Sequence, residues 1–172
     1  RLLRERIASN DPTIDLGWLD VYLAFMEGHQ GDAIAKLEAE VERRLAAGES
    51  IESPVIHLGY MAFMMGDSAA ALRWAATMES VSSNKVYADM IRMLALARTG
   101  DAMAVRRILE RSRERFQDDW EYCGWIGMAL ALVHENEEAI VWIERSVRLG
   151  SYDLELLANV PELDPLRADP RF

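Results

Sequence analysis

The side chains best suited to nucleophilic, acid–base or metal chemistry are His29, His57, His134, Cys123 and the acidic pairs Asp118-Asp119 and Glu137-Glu138. Catalysis needs such groups within mutual reach, and here they form no motif. His29 and His134 fall in turns, where a solvated ring is expected, and His57 stands beside the packing residue Leu58. Cys123 precedes Gly124 in an apolar helix, the setting of a buried structural thiol rather than an activated nucleophile. Cys-x-x-Cys, His-Glu-x-x-His and phosphate-loop patterns are absent from the sequence. The acidic pairs sit where helices begin and complement the positive end of the helix dipole. The sequence therefore points to no catalytic residue, no metal site and no cofactor.

The elements that must carry these residues are helices. Of 172 residues, 51% are apolar and 28% charged, which suits a globular chain with a sizeable core. Ala, Leu, Glu, Arg and Met dominate, only five prolines and ten glycines interrupt them, and alternating runs of Val, Ile and Thr are missing. An all-α class follows. The formal charge of −10 opposes nonspecific phosphate binding, so nucleic acid is not an expected partner. One helix carries Arg106, Arg107, Arg111, Arg113 and Arg115, but Glu110 and Glu114 interleave with them, and a solvated helix face is expected there. A single cysteine excludes an internal disulfide, and no run of about 18 uncharged apolar residues occurs, so a cytoplasmic location and no membrane partner are expected. The chain opens on Arg1-Leu2-Leu3-Arg4-Glu5-Arg6 in what reads as mid-helix, which points to a piece of a longer protein.

Turns recur along the chain. Taking Gly28, Gly66, Gly100 and His134 as equivalent, the intervals are 38, 34 and 34 residues. A helix ending at such a point favours a residue tolerant of left-handed backbone, and the next helix favours an acidic or polar cap. Gly66-Asp67 and Gly100-Asp101 supply both; the fourth turn substitutes His134 and Asn136, with Asn136 expected to cap. Seven residues before the turn stand Gly59 and Gly127, where the two helices of one pair are expected to approach closely. Five residues after it stand Ala33, Ala71 and Ala139. The third copy departs with Met93 and Val105, and the first with Val21.

This set of turns and small residues resembles the tetratricopeptide repeat consensus over nearly the whole chain. The resemblance implies one domain, a right-handed α-solenoid of about four helix hairpins at 14–47, 52–80, 85–116 and 119–149. Residues 1–12 would end a preceding repeat and 151–172 would form a C-terminal cap. The expected helices are 14–27, 31–47, 52–65, 67–80, 85–99, 101–116, 119–134 and 137–149, with Tyr152 to Ala158 as a short capping helix. The last residues, from Pro161 to Phe172, resemble the closing motif of such arrays in bacterial signalling and transcription-regulating proteins.

In this fold the first helix of each pair lines the concave surface. The resemblance places there Trp18, Tyr22, Phe25 and Met26, then Ile56, Tyr60, Phe63 and Met64, then Tyr87, Met90, Leu94 and Arg98, and finally Met128 and Leu132. Such a face implies a scaffold or sensing domain that takes an apolar or amphipathic segment of a protein or peptide, including another domain of its own parent chain. Core packing is the competing expectation, because an apolar stripe at helical period usually faces inward. A homodimer formed through the same face or the N-terminal helix is the alternative function. Relatives that clamp an acidic peptide present Lys, Arg and Asn on this face. Arg98 alone stands for that set here, so such a clamp is not expected.

Overall fold

A computed structural model describes residues 17–83, 85–151 and 160–172, and the side chains of residues 17–19 fall outside the description. All secondary structure among the described residues is helical. The helices are α1 (Gly17–Met26), α2 (Gln30–Ala47), α3 (Glu52–Met64), α4 (Ser68–Val81), α5 (Val86–Arg98), α6 (Ala102–Phe116), α7 (Trp120–Leu132) and α8 (Asn136–Arg148), followed by a 3-10 helix at Pro161–Leu166. They match the expected spans within two residues wherever these are described. The proposed repeat end at 1–12 and the capping helix from Tyr152 to Ala158 lie outside the described residues.

The chain divides into two compact units, Arg1–Pro54 and Val55–Phe172. In the first, α1 packs on α2. Val21 and Phe25 are buried on α1, and Ala33, Leu37 and Val41 on α2, each set at i, i+4 spacing along one helical face. Gly48 ends α2 in the left-handed region, and its amide returns to the Arg44 and Leu45 carbonyls.

In the second unit, α5 lies against α4, α6 and α7, and α7 against α5, α6 and α8. Sequence explains this central placement. Helix α7 buries every residue from Cys123 to Ala131, and α5 buries nine, so both need neighbours on most sides. Helices α6 and α8 are amphipathic: Val105, Ile108, Leu109, Ser112 and Phe116 face inward on α6, and Ala139, Ile140, Trp142, Ile143 and Ser146 on α8.

The turns behave as their chemistry requires. Gly66 and Gly100 have φ of 77° and 79°, and Asp67 and Asp101 accept hydrogen bonds from the Ala70 and Ala104 amides at 2.8 and 3.0 Å. Each such cap contributes about 1 kcal/mol. His134 occupies the same left-handed region at φ 62°, the position held by glycine in the preceding two turns. The cap expected of Asn136 is not made. Asn136 is the first residue of α8, with its Oδ1 buried and without a hydrogen-bond partner among the described residues. The N-cap is Glu135, which makes no side-chain cap hydrogen bond and pairs with Arg106 at 2.9 Å.

Gly127 meets the partner helix of its own pair, as expected: a Cβ there would fall 2.5 Å from Ile143 Cδ1. Gly59 differs, since a Cβ there would strike Ile91 of α5 at 2.6 Å. Its small size admits a side chain from the following pair rather than from α4.

Hydrogen bonds and ion pairs add to the apolar packing of these helices. Asp89 on α5, buried, accepts a hydrogen bond from Ser112 Oγ at 2.9 Å and pairs with Arg111, both on α6. Glu138 on α8 receives Arg106 and Arg113 from α6. The arginines expected to form a solvated face thus include three that tie helices together.

Candidate functional site

The residues of chemical interest lie on separate elements. His29 is the exposed N-cap residue of α2, and His134 is exposed in its turn. His57 is half-buried on α3, and burial holds its imidazole pKa below the usual value. Cys123 is fully buried on α7 and points its thiol at the Phe116 and Gln117 carbonyls, 3.5 and 3.7 Å away. Burial pushes the thiol pKa up to about 11, so the thiolate needed for attack is scarce at neutral pH. Native protein is therefore expected to resist a thiol reagent such as iodoacetamide, with labelling rising only along the unfolding transition. Labelling of the folded chain at the rate of a free cysteine would contradict this placement. Among the described residues, no group of three or more His, Cys, Asp or Glu could hold a metal ion, and no helix is long and apolar enough to cross a membrane.

The expected recognition face resolves into two populations. Phe63, Met90, Leu94 and Met128 are at most 2% exposed, and Tyr60 is buried with its ring stacked on Trp125 of α7, centroids 5.1 Å apart and planes 7° from parallel. These five are packing residues, which corrects the expectation that they line an open groove. The physical reason is that side chains of α3 and α7 meet directly, as the Tyr60–Trp125 stack does, so the apolar lining is consumed by its own contacts. Ile56, Met64, Tyr87 and Arg98 stay half-buried. In the first unit Phe25 is buried, Tyr22 half-buried and Met26 exposed, while the Trp18 side chain lies outside the description.

A second aromatic contact joins α5 to α7. Tyr87 meets Tyr122 edge to face at 5.6 Å, and Tyr122 meets Phe116 in the same manner at 5.8 Å. Desolvation, then the hydrogen bond with Tyr87, raises the Tyr122 pKa, so its phenol stays neutral. Desolvation also raises the pKa of Glu121, with the Asp119 charge adding to it.

The half-buried residues are not scattered. Met64, Arg98 and Leu132 stand at intervals of 34 residues, each two before its turn glycine or His134, at the C-terminal ends of α3, α5 and α7. Arg98 is the polar member. Its guanidinium lies over the Phe63 ring at 4.5 Å and pairs with Glu162 of the 3-10 helix. That helix packs against α7 and α8, with Leu163 and Leu166 fully buried and Glu162 only 7% exposed. So Arg98, expected to be too isolated to clamp a carboxylate, holds one from its own chain. The pairing is incomplete, since Arg98 Nε and Glu162 Oε2 are buried without a hydrogen-bond partner among the described residues.

Sequence reasoning missed Glu162 and Trp125. Glu162 was visible only as part of a closing motif, and Trp125 carried no signal beyond apolarity. A cleft of about 460 Å³ between α6 and α8 was also unforeseen; it is lined by Arg113, Gln117, Glu138, Trp142 and Arg145 among others. Its charges are engaged: Arg113 with Glu138 and, at 5.5 Å, the Trp142 ring, and Arg145 with Asp118 and the Gln117 carbonyl.

Comparison with protein-family models gave no match, and neither did comparison with curated proteins or with solved structures.

Proposed function

We propose that the chain is a protein-interaction module, not an enzyme, and that it recognises a segment of another protein at the ledge formed by the C-terminal ends of α3, α5 and α7. What carries this reading is one observation: beside the Arg98 end of α5, a peptide segment is already seated on α7 and α8, with Arg98 gripping Glu162 while Leu163 and Leu166 are buried. A surface that seats one turn by a charge and two leucines has the makings of a receptor.

Residues 55–172 are read as stacked hairpins of a right-handed α-solenoid resembling tetratricopeptide repeats. The left-handed residues Gly66, Gly100 and His134 at 34-residue spacing support that, as do the fully buried Ala71 and Ala139 after them. The chain is read as a sensing or scaffolding part of a longer bacterial regulator; low use of lysine, Lys36 and Lys85 only, beside abundant arginine, fits a GC-rich bacterial genome.

Photo-crosslinking tests the placement of the ledge. A benzophenone side chain at Met64 or Leu132 should yield an adduct with a second protein in the native host, and one at Met103, 72% exposed on α6, should not. Equal adducts from all three positions, or adducts from Met103 alone, would move recognition elsewhere.

A further inference from the structure

The segment that fills the ledge is seated less well than its chemistry allows. Glu162 and Arg98 are joined through one guanidinium nitrogen, whereas a guanidinium fork can give a carboxylate two parallel hydrogen bonds. Arg98 Nε and Glu162 Oε2 are left over, both out of contact with solvent. A buried polar atom without a partner carries a desolvation cost that docking does not recover. The anchors are Val160, Glu162, Leu163 and Leu166, which are buried, and a solvent-facing pair of Arg171 with Glu137 of α8 at 2.9 Å, while Pro161, Asp164, Pro165 and Arg167 are exposed. Leu163 and Leu166 stand three apart on a 3-10 helix, where such side chains eclipse and form one apolar edge. The charge that closes the set is specific in sign, since Arg98 is backed by the Phe63 ring, whose face favours a cation.

Resting on the proposed interaction role, we propose that Val160–Phe172 is an internal ligand occupying a site for another protein. The partner it stands in for would present a turn with a carboxylate followed by apolar side chains one and four positions later. A segment free of the covalent connection can rotate its carboxylate onto both Arg98 nitrogens and satisfy the atoms the internal segment leaves bare. That difference gives a partner its means of displacing the internal copy. Affinity for the partner is then set by how often the internal segment vacates the ledge, because a receptor that is rarely open binds in proportion to its open fraction.

The test uses the full chain and a labelled thirteen-residue peptide with the sequence of Val160–Phe172. Fluorescence anisotropy should show weak binding to the unaltered chain and binding tightened about tenfold or more by Leu163→Ser with Leu166→Ser in the chain, which empties the ledge. Glu162→Gln in the chain, a milder release that keeps the leucines, should tighten it in the same direction. Adding Arg98→Glu to the released chain should abolish binding of this peptide and restore it for a peptide with lysine at the glutamate position. Circular dichroism checks that each variant stays helical. The inference falls if the released chains stay folded and bind no better than the unaltered one, or if binding ignores the charge reversal. It falls also if the released chain forms dimers that the peptide dissolves, which would make a second copy the occupant. Crosslinks from Met64 and Leu132 alongside a failed peptide test would sink the internal-ligand idea alone, whereas loss of both sinks the interaction role with it.

Discussion

Replacing Phe63 by aspartate is expected to unfold residues 55–172, not merely to strip a binding surface. The ring is 0% exposed and lies beneath the Arg98 guanidinium at 4.5 Å. Removing a buried phenylalanine to alanine costs about 3–5 kcal/mol, a large part of the roughly 5–15 kcal/mol that holds a domain together. Aspartate adds a charge. Arg98 could turn to meet it, but would then abandon Glu162, which is 7% exposed, so one carboxylate is left buried without its cation in either arrangement. Urea titration followed by far-ultraviolet circular dichroism should show Phe63→Ala with a midpoint well below the original and Phe63→Asp with no cooperative transition for this unit. Met64→Asp, at a half-buried neighbour, should move the midpoint far less. A Phe63→Asp protein that melts like the original would return Phe63 to the surface.

Gly127→Val should cost about 3 kcal/mol, at the upper end for overpacking. Its first added carbon would fall 2.5 and 2.6 Å from Ile143 Cδ1 and Cγ1 and 3.2 Å from the Ala139 carbonyl oxygen, so both a side chain and a backbone would have to yield. Ile143→Ala removes the side-chain half of that conflict. The double variant should therefore be more stable than the sum of the single losses predicts, a negative coupling that thermal melts of the four proteins would reveal. Simple additivity would show that α7 and α8 are not in contact at this point. Gly66 and Gly100 make a useful contrast, since nothing lies within 4 Å of a Cβ at either and their requirement is the positive φ. The chain thus uses glycine for two unrelated reasons.

Helix spans and turns were legible because their determinants are local. Asp67 and Asp101 lie one residue from the glycine that ends the previous helix, and no distant residue is needed to make them cap. The fourth turn was misread at Asn136 because the helix starts two residues after the turn residue, as in the Gly-Asp turns, which puts Asn136 inside it and leaves the N-cap to Glu135, whose carboxylate pairs with Arg106 of α6. The nearest neighbour of Gly59, Ile91 of α5, was not legible, because periodicity shows that a helix has a small face, not which helix comes nearest to it. The recognition face was the least legible part. Tyr60, Phe63, Met90, Leu94 and Met128 have the composition of a groove and of a core alike, and the difference lies in what covers them. Arg98 read as a leftover cation because its partner stands 64 positions away, in a segment known only as a closing motif.

The ion pairs between α6 and α8 give the second unit an unequal mechanics. On the inner side, α5 and α7 touch mainly through uncharged apolar and aromatic groups, on which charge screening does not act. On the outer side, the separation of α6 from α8 is bridged by Arg106 and Arg113 converging on Glu138, with Trp142 Nε1 3.4 Å from the same carboxylate. Screening weakens the solvent-facing half of that bridge. The α6–α8 packing is therefore the salt-sensitive part of this unit, and added salt is expected to loosen it before it disturbs the packing of α5 on α7.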